Sequence, residues 1–175
     1  MSLPSQTVGP FFHFGLTADR ALGRVAGPEV RGERIRLRFT LLDGDGSPVP
    51  DGMIELWQAD AEGRYQSDGT FCGFGRLATD AEGRCTFETV RPGRVADGHG
   101  LQAAHINVSV FARGLSARLC TRVYFDGDTG LADDYVLALV PEWRRSTLLA
   151  RCEGAGLWGF EIRLQGERET VFFDV

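Results

Sequence analysis

At 175 residues, with 43% hydrophobic and 25% charged residues, the chain has the size of one domain able to bury a core without disulfide staples. Its net charge of −5 speaks against nucleic acid as a partner, and its 23 glycines suit a fold rich in tight turns. No run of about eighteen apolar residues offers a membrane span, and Met1 to Gln6 lacks both the basic start and the apolar core of a signal peptide, so a cytoplasmic protein is expected.

Residues 33 to 42 alternate, with Ile35, Leu37, Phe39 and Leu41 on one face and Arg34, Arg36 and Arg38 on the other, before Asp43-Gly44-Asp45-Gly46 ends the run. That period of two predicts a half-buried strand closed by a turn. Met53 to Ala59 reads as a second strand. The phrase Asp60-Ala61-Glu62-Gly63-Arg64 recurs as Asp80-Ala81-Glu82-Gly83-Arg84, too short for a solenoid repeat and suited to two similar hairpin turns. Arg84 to Val90 is then expected as the return strand of the second hairpin. Ile106, Val108 and Val110 alternate with Asn107 and Ser109, Leu119 to Phe125 is a further apolar run, and Gly159 to Gln165 closes the set with Phe160, Ile162 and Leu164 inward. Many short strands with turns between them indicate a mainly β, single-domain β-sandwich. One short helix is expected from Pro141 to Cys152, with Pro at its start, Trp143, Leu148 and Leu149 as an apolar stripe, and Gly154 beyond its end. Residues 1–32 lack periodicity and hold Gly9-Pro10 and Gly27-Pro28, which predicts an extended N-terminal arm packed on something, with 33–175 as the sandwich.

Several phrases have plain readings. Asp43-Gly44-Asp45-Gly46 and Asp126 to Asp134 offer carboxylates without the ligand spacing of a calcium loop, and Gly73-Phe74-Gly75 is followed by no helical pattern, so solvated turns are expected at these places. Cys72, Cys85, Cys120 and Cys152 form no Cys-x-x-Cys pair and read as free, mostly buried thiols. Trp57, Trp143 and Trp158 read as core. His13 and His99 have no visible nucleophile beside them and carry no catalytic assignment.

A more specific pattern runs along the chain: Ile54-Glu55-Leu56-Trp57-Gln58-Ala59-Asp60, then Gly63-Arg64-Tyr65, Gly75-Arg76, Thr79, Arg91-Pro92-Gly93 and His105-Ile106-Asn107. It is flanked by Ser5-Gln6-Thr7-Val8-Gly9-Pro10, by Phe111-Ala112-Arg113-Gly114 and by Gly166 to Phe173. In this order and spacing the chain resembles the intradiol ring-cleaving dioxygenases over residues 3 to 175, departing at Phe39, where the family usually has glycine.

The resemblance implies an oxygen-dependent cleavage between the two hydroxyl-bearing carbons of a catechol, by a non-haem Fe(III) enzyme. In the branch that this chain is most similar to, related alpha and beta chains form one protomer of a larger assembly. There the beta chain holds the Fe(III) through two tyrosines and two histidines and the substrate is anionic protocatechuate, opened to 3-carboxy-cis,cis-muconate in the beta-ketoadipate route of aromatic degradation. Here Tyr65 and His105 fall on the first tyrosine and first histidine positions, and Arg94 and Asn107 on the other two. A guanidinium cannot ligate and repels a cation, and an amide is a weak ligand for a transition metal, so the four positions are expected to be vestigial, with no metal or catalytic residue in this chain. The resemblance further implies that Thr7, Pro10, Phe11 and Arg113 form this chain's part of a substrate pocket at the contact with the partner. Arg113 suits a carboxylate chemically, and Phe11 stands where the family often has tyrosine. Two other readings are compatible with the strands: a non-enzymatic β-sandwich binding module, and a subunit acting on another catechol.

Overall fold

In the computed structural model, which describes residues 6–65 and 71–174, the first alternating run becomes β1 (Arg34–Leu42), with Ile35, Leu37, Phe39 and Leu41 buried. The same period builds β2 (Met53–Gln58), which buries Ile54, Leu56 and Gln58 and turns Glu55 and Trp57 outward. It also builds β4 (Arg84–Val90) after β3 (Phe74–Ala78). After the two-stranded pair β5 (Val95–Asp97) and β6 (Gly100–Gln102) come β7 (His105–Phe111) and β8 (Leu119–Phe125). The last strands are β9 (Leu149–Gly154) and β10 (Leu157–Arg163).

The strand order is β3-β2-β7-β8-β9-β10-β1-β4. β9 makes the fold's corner: Leu149 and Ala150 pair in parallel with Tyr124 and Phe125 of β8, and Arg151 and Cys152 pair antiparallel with Gly159 and Trp158 of β10. The two halves so joined face each other, and Leu37, Phe39, Phe87, Phe160 and Ile162 of one pack with Ile54, Leu56, Ile106, Val108 and Val123 of the other. This is a mainly β sandwich. Phe39 stands at its centre, edge-on to Phe87 and Phe160 at ring separations of 5.7 and 5.9 Å.

The sandwich differs in detail from the sequence reading. Asp80–Arg84 does not close a hairpin, because β3 and β4 lie at opposite ends of the strand order; β4 pairs with β1, and the turn carries the chain from one half of the sandwich to the other. Asp60–Arg64 likewise lies early in the long connection between the paired strands β2 and β3. The recurrence itself is real structure. In both copies the Asp side chain accepts from the backbone N–H two and four residues on, and Asp43 does the same over Asp43–Ser47.

The helix expected from Pro141 to Cys152 is reduced to one turn, α3 (Glu142–Arg145), running into a 3-10 turn at Ser146–Leu148. From Leu149 onward, pairing with β8 and β10 outweighs helix propensity, and Trp143 is 76% exposed instead of lying on a buried stripe. A second short helix, α2 (Tyr135–Ala138), is capped by the Asp134 side chain. Trp57 is also exposed, leaving Trp158 as the one core tryptophan, and of the thiols only Cys85 is buried, with its pKa pushed up to about 12 by that burial.

In the N-terminal segment, α1 (Pro10–Leu16) and a 3-10 turn at Arg20–Gly23 lead to Val25 and Ala26, which are buried in this chain's own core. Residues 1–5, 66–70 and 175 and the side chains of Pro10, Phe11 and His13 lie outside the described parts. Among the described residues no helix is long and apolar enough to cross a membrane.

Candidate functional site

Three of the four positions read as vestigial ligands meet at the start of β7. The Asp60–Arg64 turn delivers Tyr65, and its glycine is required: Gly63 has φ +80°, and a Cβ there would run into the Arg94 carbonyl oxygen. The Gly93 N–H donates to the Asp60 carbonyl at 2.9 Å, so the turn sits against the Gly93–Arg94 backbone. Tyr65 stacks on Trp57 with ring planes 8° apart and its hydroxyl reaches His105 Nε2 at 3.4 Å. His105 Nδ1 lies 2.8 Å from the Ala103 carbonyl, which can only accept, so Nδ1 carries the proton and Nε2 of the neutral ring accepts from Tyr65. Asn107 Nδ2 donates to the same phenol oxygen at 3.2 Å, completing a line from amide to phenol to imidazole.

Burial favours the neutral form of both ring groups. It lowers the His105 pKa below its ordinary 6.5, with the nearby Arg122 cation acting in the same sense, and it raises the Tyr65 pKa above 10 against the opposite pull of Arg122 and the Asn107 hydrogen bond. The fourth position is elsewhere. The Arg94 guanidinium lies against Gly130 and donates to the Leu101 carbonyl at 3.5 Å.

The donor set does not fit Fe(III). A neutral phenol and an imidazole are hydrogen-bonded to each other, the third member is an amide, the fourth is a cation, and the Arg122 charge stands close by. Among the described residues no group of three His, Cys, Asp or Glu side chains could hold a metal.

The buried support behind His105 includes Asp134, which was expected in a solvated turn and is instead drawn into the interior by the three donors it serves, and Arg122, which sequence reading passed over. Asp134, 1% exposed, accepts from the Ala103 N–H at 2.7 Å, the Leu137 N–H at 2.7 Å and the Tyr124 hydroxyl at 3.2 Å. Arg122 donates to Gln102 Oε1 at 2.6 Å, and Gln102 donates in turn to Asp97 Oδ2 at 2.6 Å. The signal for Asp134 was its place as an N-cap before a short apolar turn. Arg122 had no signal of its own, because only the β7–β8 register sets it opposite Asn107.

At the other end of β7 lies a second group. Phe12 of α1 packs on Phe111 with ring centroids 5.7 Å apart, and the Gly114 N–H donates to Thr7 Oγ1 at 2.8 Å. Thr7 is thereby fixed one residue from Arg113, and Pro10 opens α1 with Phe11 next to it. Arg113 donates to Asp51 at 3.2 Å, and their side chains are 70% and 55% exposed. Asp51 is held in the left-handed region, φ +61°, in the turn before β2. Of the four pocket candidates, Thr7 is held by the Gly114 backbone, next in the chain to Arg113, whose side chain turns to Asp51, and the side chains of Pro10 and Phe11 lie outside the described parts. His105 and Phe111, at the two ends of β7, are about 20 Å apart at the rise of an extended strand.

Known proteins share this chain's pattern along nearly its whole length. A family model described as dioxygenase matches residues 7–166. The protocatechuate 3,4-dioxygenase alpha chain of Pseudomonas putida is 44% identical over 98% of this chain and 95% of its own length. The protocatechuate 3,4-dioxygenase beta chain of Burkholderia cepacia is 36% identical over 95% of this chain and 77% of its own. Among solved structures, 3-chlorocatechol 1,2-dioxygenase from Rhodococcus opacus superposes with a TM-score of 0.69 at 22% identity, covering 93% of this chain and 71% of that one, which shows a shared fold.

Proposed function

The chain belongs to the dioxygenase family, that of the intradiol ring-cleaving enzymes, and from that premise we propose that it serves as the alpha subunit of a protocatechuate 3,4-dioxygenase. The reaction is the insertion of both atoms of O2 across the bond between the two hydroxyl-bearing carbons, converting protocatechuate to 3-carboxy-cis,cis-muconate. The family's cofactor is non-haem iron, and in this reading the partner beta chain holds it. The observation that carries the division of labour is the donor set at Tyr65, Arg94, His105 and Asn107, which cannot serve Fe(III).

This chain's own contribution is the exposed corner at the far end of β7. Arg113 offers fixed guanidinium donors to the substrate carboxylate, exchanging its weak surface partner Asp51 for it. Thr7, Pro10 and Phe11, in the segment docked on the Phe111–Gly114 turn, form the adjoining wall and exclude water. Of the arm expected over residues 1–32, the part before the core residues Val25 and Ala26 is the one that meets the beta chain, and alpha–beta protomers build a larger assembly. The compartment we propose is the cytoplasm, supported by four free cysteines.

Co-expression with the related longer chain tests this reading. The two chains are expected to co-purify, with O2 consumption on protocatechuate by the complex and none by this chain alone. A chain that stays monomeric beside that partner, or that cleaves protocatechuate by itself, would overturn it.

A further inference from the structure

The strand order ends at β3 on one side and at β4 on the other, and these two edges meet across the open side of the sandwich. A Cβ on Gly75 of β3 would stand 2.9 Å from the Phe87 ring of β4, 2.7 Å from Val25 Cγ2 and 3.0 Å from the Leu22 carbonyl oxygen, so residues 20–26 lie in the seam between the edges. Val25 and Ala26 are buried there. Arg24 bridges in parallel to Glu88 of β4, Ala26 bridges to Phe71 ahead of β3, and the Val25 N–H donates to the Glu88 carbonyl at 2.9 Å.

Along the ladder between β1 and β4 the Leu41 N–H donates to the Gly83 carbonyl and the Arg91 N–H to the Glu33 carbonyl. Odd-numbered residues of β4 therefore bond to β1, and even-numbered ones turn their N–H and C=O to the free edge. Such an edge is a template for another strand. Much of it is answered from within the chain. The Arg84 carbonyl accepts from the Asp80 N–H at 2.9 Å, the Arg84 N–H donates to the Asp80 carboxylate at 2.8 Å, the Glu88 carbonyl is taken by Val25, and the Val90 carbonyl by the Gln58 side chain at 3.0 Å. Thr86, between Arg84 and Glu88, has no backbone partner on that side among the described residues. A groove of about 970 Å³ runs along this edge beside residues 20–24, between Leu77 and Ala78 of β3 and Arg84 and Thr86 of β4.

The chain leaving the seam is fastened by one side chain. Arg34, the first residue of β1, donates to the Ala26 carbonyl at 3.0 Å, to the Val30 carbonyl at 3.2 Å and to the Gly27 carbonyl, its planar fork fixing the direction of all three. Within the seam the Arg24–Glu88 ion pair is exposed and 3.4 Å long, a weak fastening by comparison.

From this arrangement we propose that residues 20–26 are a strap, latched by Arg34, that opens as a unit while the sandwich stays folded, and that the opened β4 edge pairs with the same edge of a second copy of this chain. Pairing of the two edges about Thr86 satisfies the peptide groups that opening exposes. The proposal stands independently of the proposed reaction, because it uses neither the Arg113 corner nor the Tyr65–His105–Asn107 group.

The test is amide hydrogen exchange and sedimentation on the purified full chain. In the wild type the Val25 amide should be at least about tenfold less protected than those of Leu41 and Arg91, because it is freed by local opening and they only by unfolding of the sandwich. Arg34→Met should lower Val25 protection about tenfold further, leave Leu41 and Arg91 near their wild-type values, and strengthen self-association. Thr86→Pro removes an N–H that points away from β1, so adding it to Arg34→Met should abolish the extra association and leave Val25 unprotected. Equal protection of Val25, Leu41 and Arg91 in the wild type would overturn the strap, and this measurement decides even where Arg34→Met fails to fold. Val25 protection unchanged in Arg34→Met would overturn the latch, and association that is absent, or that survives Thr86→Pro, would overturn the pairing through β4.

Discussion

At the His105 end of β7 the polar groups are answered from within the chain, with His105 and Asp134 buried and Tyr65 at the rim, whereas at the Phe111 end a cation and a carboxylate lie exposed and lean on each other. His105 is 1% exposed, held between Tyr65 and the Ala103 carbonyl, with Asp134 bracing the strand behind it. Arg113 and Asp51 are both well exposed, and such a pair is worth about 0–1 kcal/mol, little enough to be exchanged for another partner. One strand thus carries an end tied into the chain's own interior and, in the proposed reading, an end free for recognition. Substitutions at the first should unfold the chain and leave its specificity alone, and substitutions at the second should do the reverse.

The largest effect is expected from Asp134→Ala. Removing one carboxylate leaves the Ala103 N–H, the Leu137 N–H and the Tyr124 hydroxyl without their acceptor in the interior, and each unsatisfied group costs about 1–3 kcal/mol before relaxation. Urea unfolding should show a loss of about 2–4 kcal/mol. A loss below about 1 kcal/mol would mean that water replaces the carboxylate and that this end is not closed.

Next comes Arg113→Ala, read in the complex with the beta chain. Its stability should change by no more than about 0.5 kcal/mol, while kcat/KM for protocatechuate falls about ten- to hundredfold, mainly through KM. Catechol, which lacks the carboxylate, should be nearly indifferent. An equal loss for both substrates would move Arg113 from recognition to assembly.

The pH dependence separates the two ends without mutation. Burial holds the His105 pKa below its ordinary 6.5, so the unfolded chain binds a proton that the folded chain refuses. The stability this group contributes is present above pH 6.5 and is lost as pH falls through that value toward the folded pKa. The melting temperature should therefore decline on acidification below pH 6.5, and His105→Gln should flatten that part of the profile. An unchanged slope in the variant would assign the acid sensitivity to other groups.

The smallest effect is expected from Asp51→Asn, which releases Arg113 from its surface partner. Stability should move by about 0–1 kcal/mol, and KM for protocatechuate in the complex should fall severalfold as the guanidinium becomes free. A rise in KM would show that Asp51 orients Arg113 instead of competing for it.

The strand faces could be read in advance, and the buried support of the closed end could not. The period of two from Arg34 to Leu42 and from Ile106 to Val110 placed the core face correctly. What escaped depended on contacts between residues distant in sequence. The segment after Pro141 has helix signals at its start, and its second half becomes a strand because β8 and β10 offer it pairing partners that no local window contains. Arg122 was invisible for the same reason, since its meaning comes from lying opposite Asn107 across a strand pair. The repeated Asp-Ala-Glu-Gly-Arg phrase gave the turn correctly and the topology wrongly, because turn chemistry is local and the choice of partner strand is not.

The central claim is that this chain's own Tyr65–His105–Asn107 group holds no iron while the assembly does. Metal analysis and visible absorption of the purified chain alone, after exposure to excess Fe(III) and removal of loosely held metal, test it most directly beside the same measurement on the complex with the beta chain. The account predicts no retained iron and no phenolate-to-iron absorption band in the chain alone, and one iron with that band per alpha–beta pair in the complex. One tightly held Fe(III) with the band in the isolated chain would contradict it.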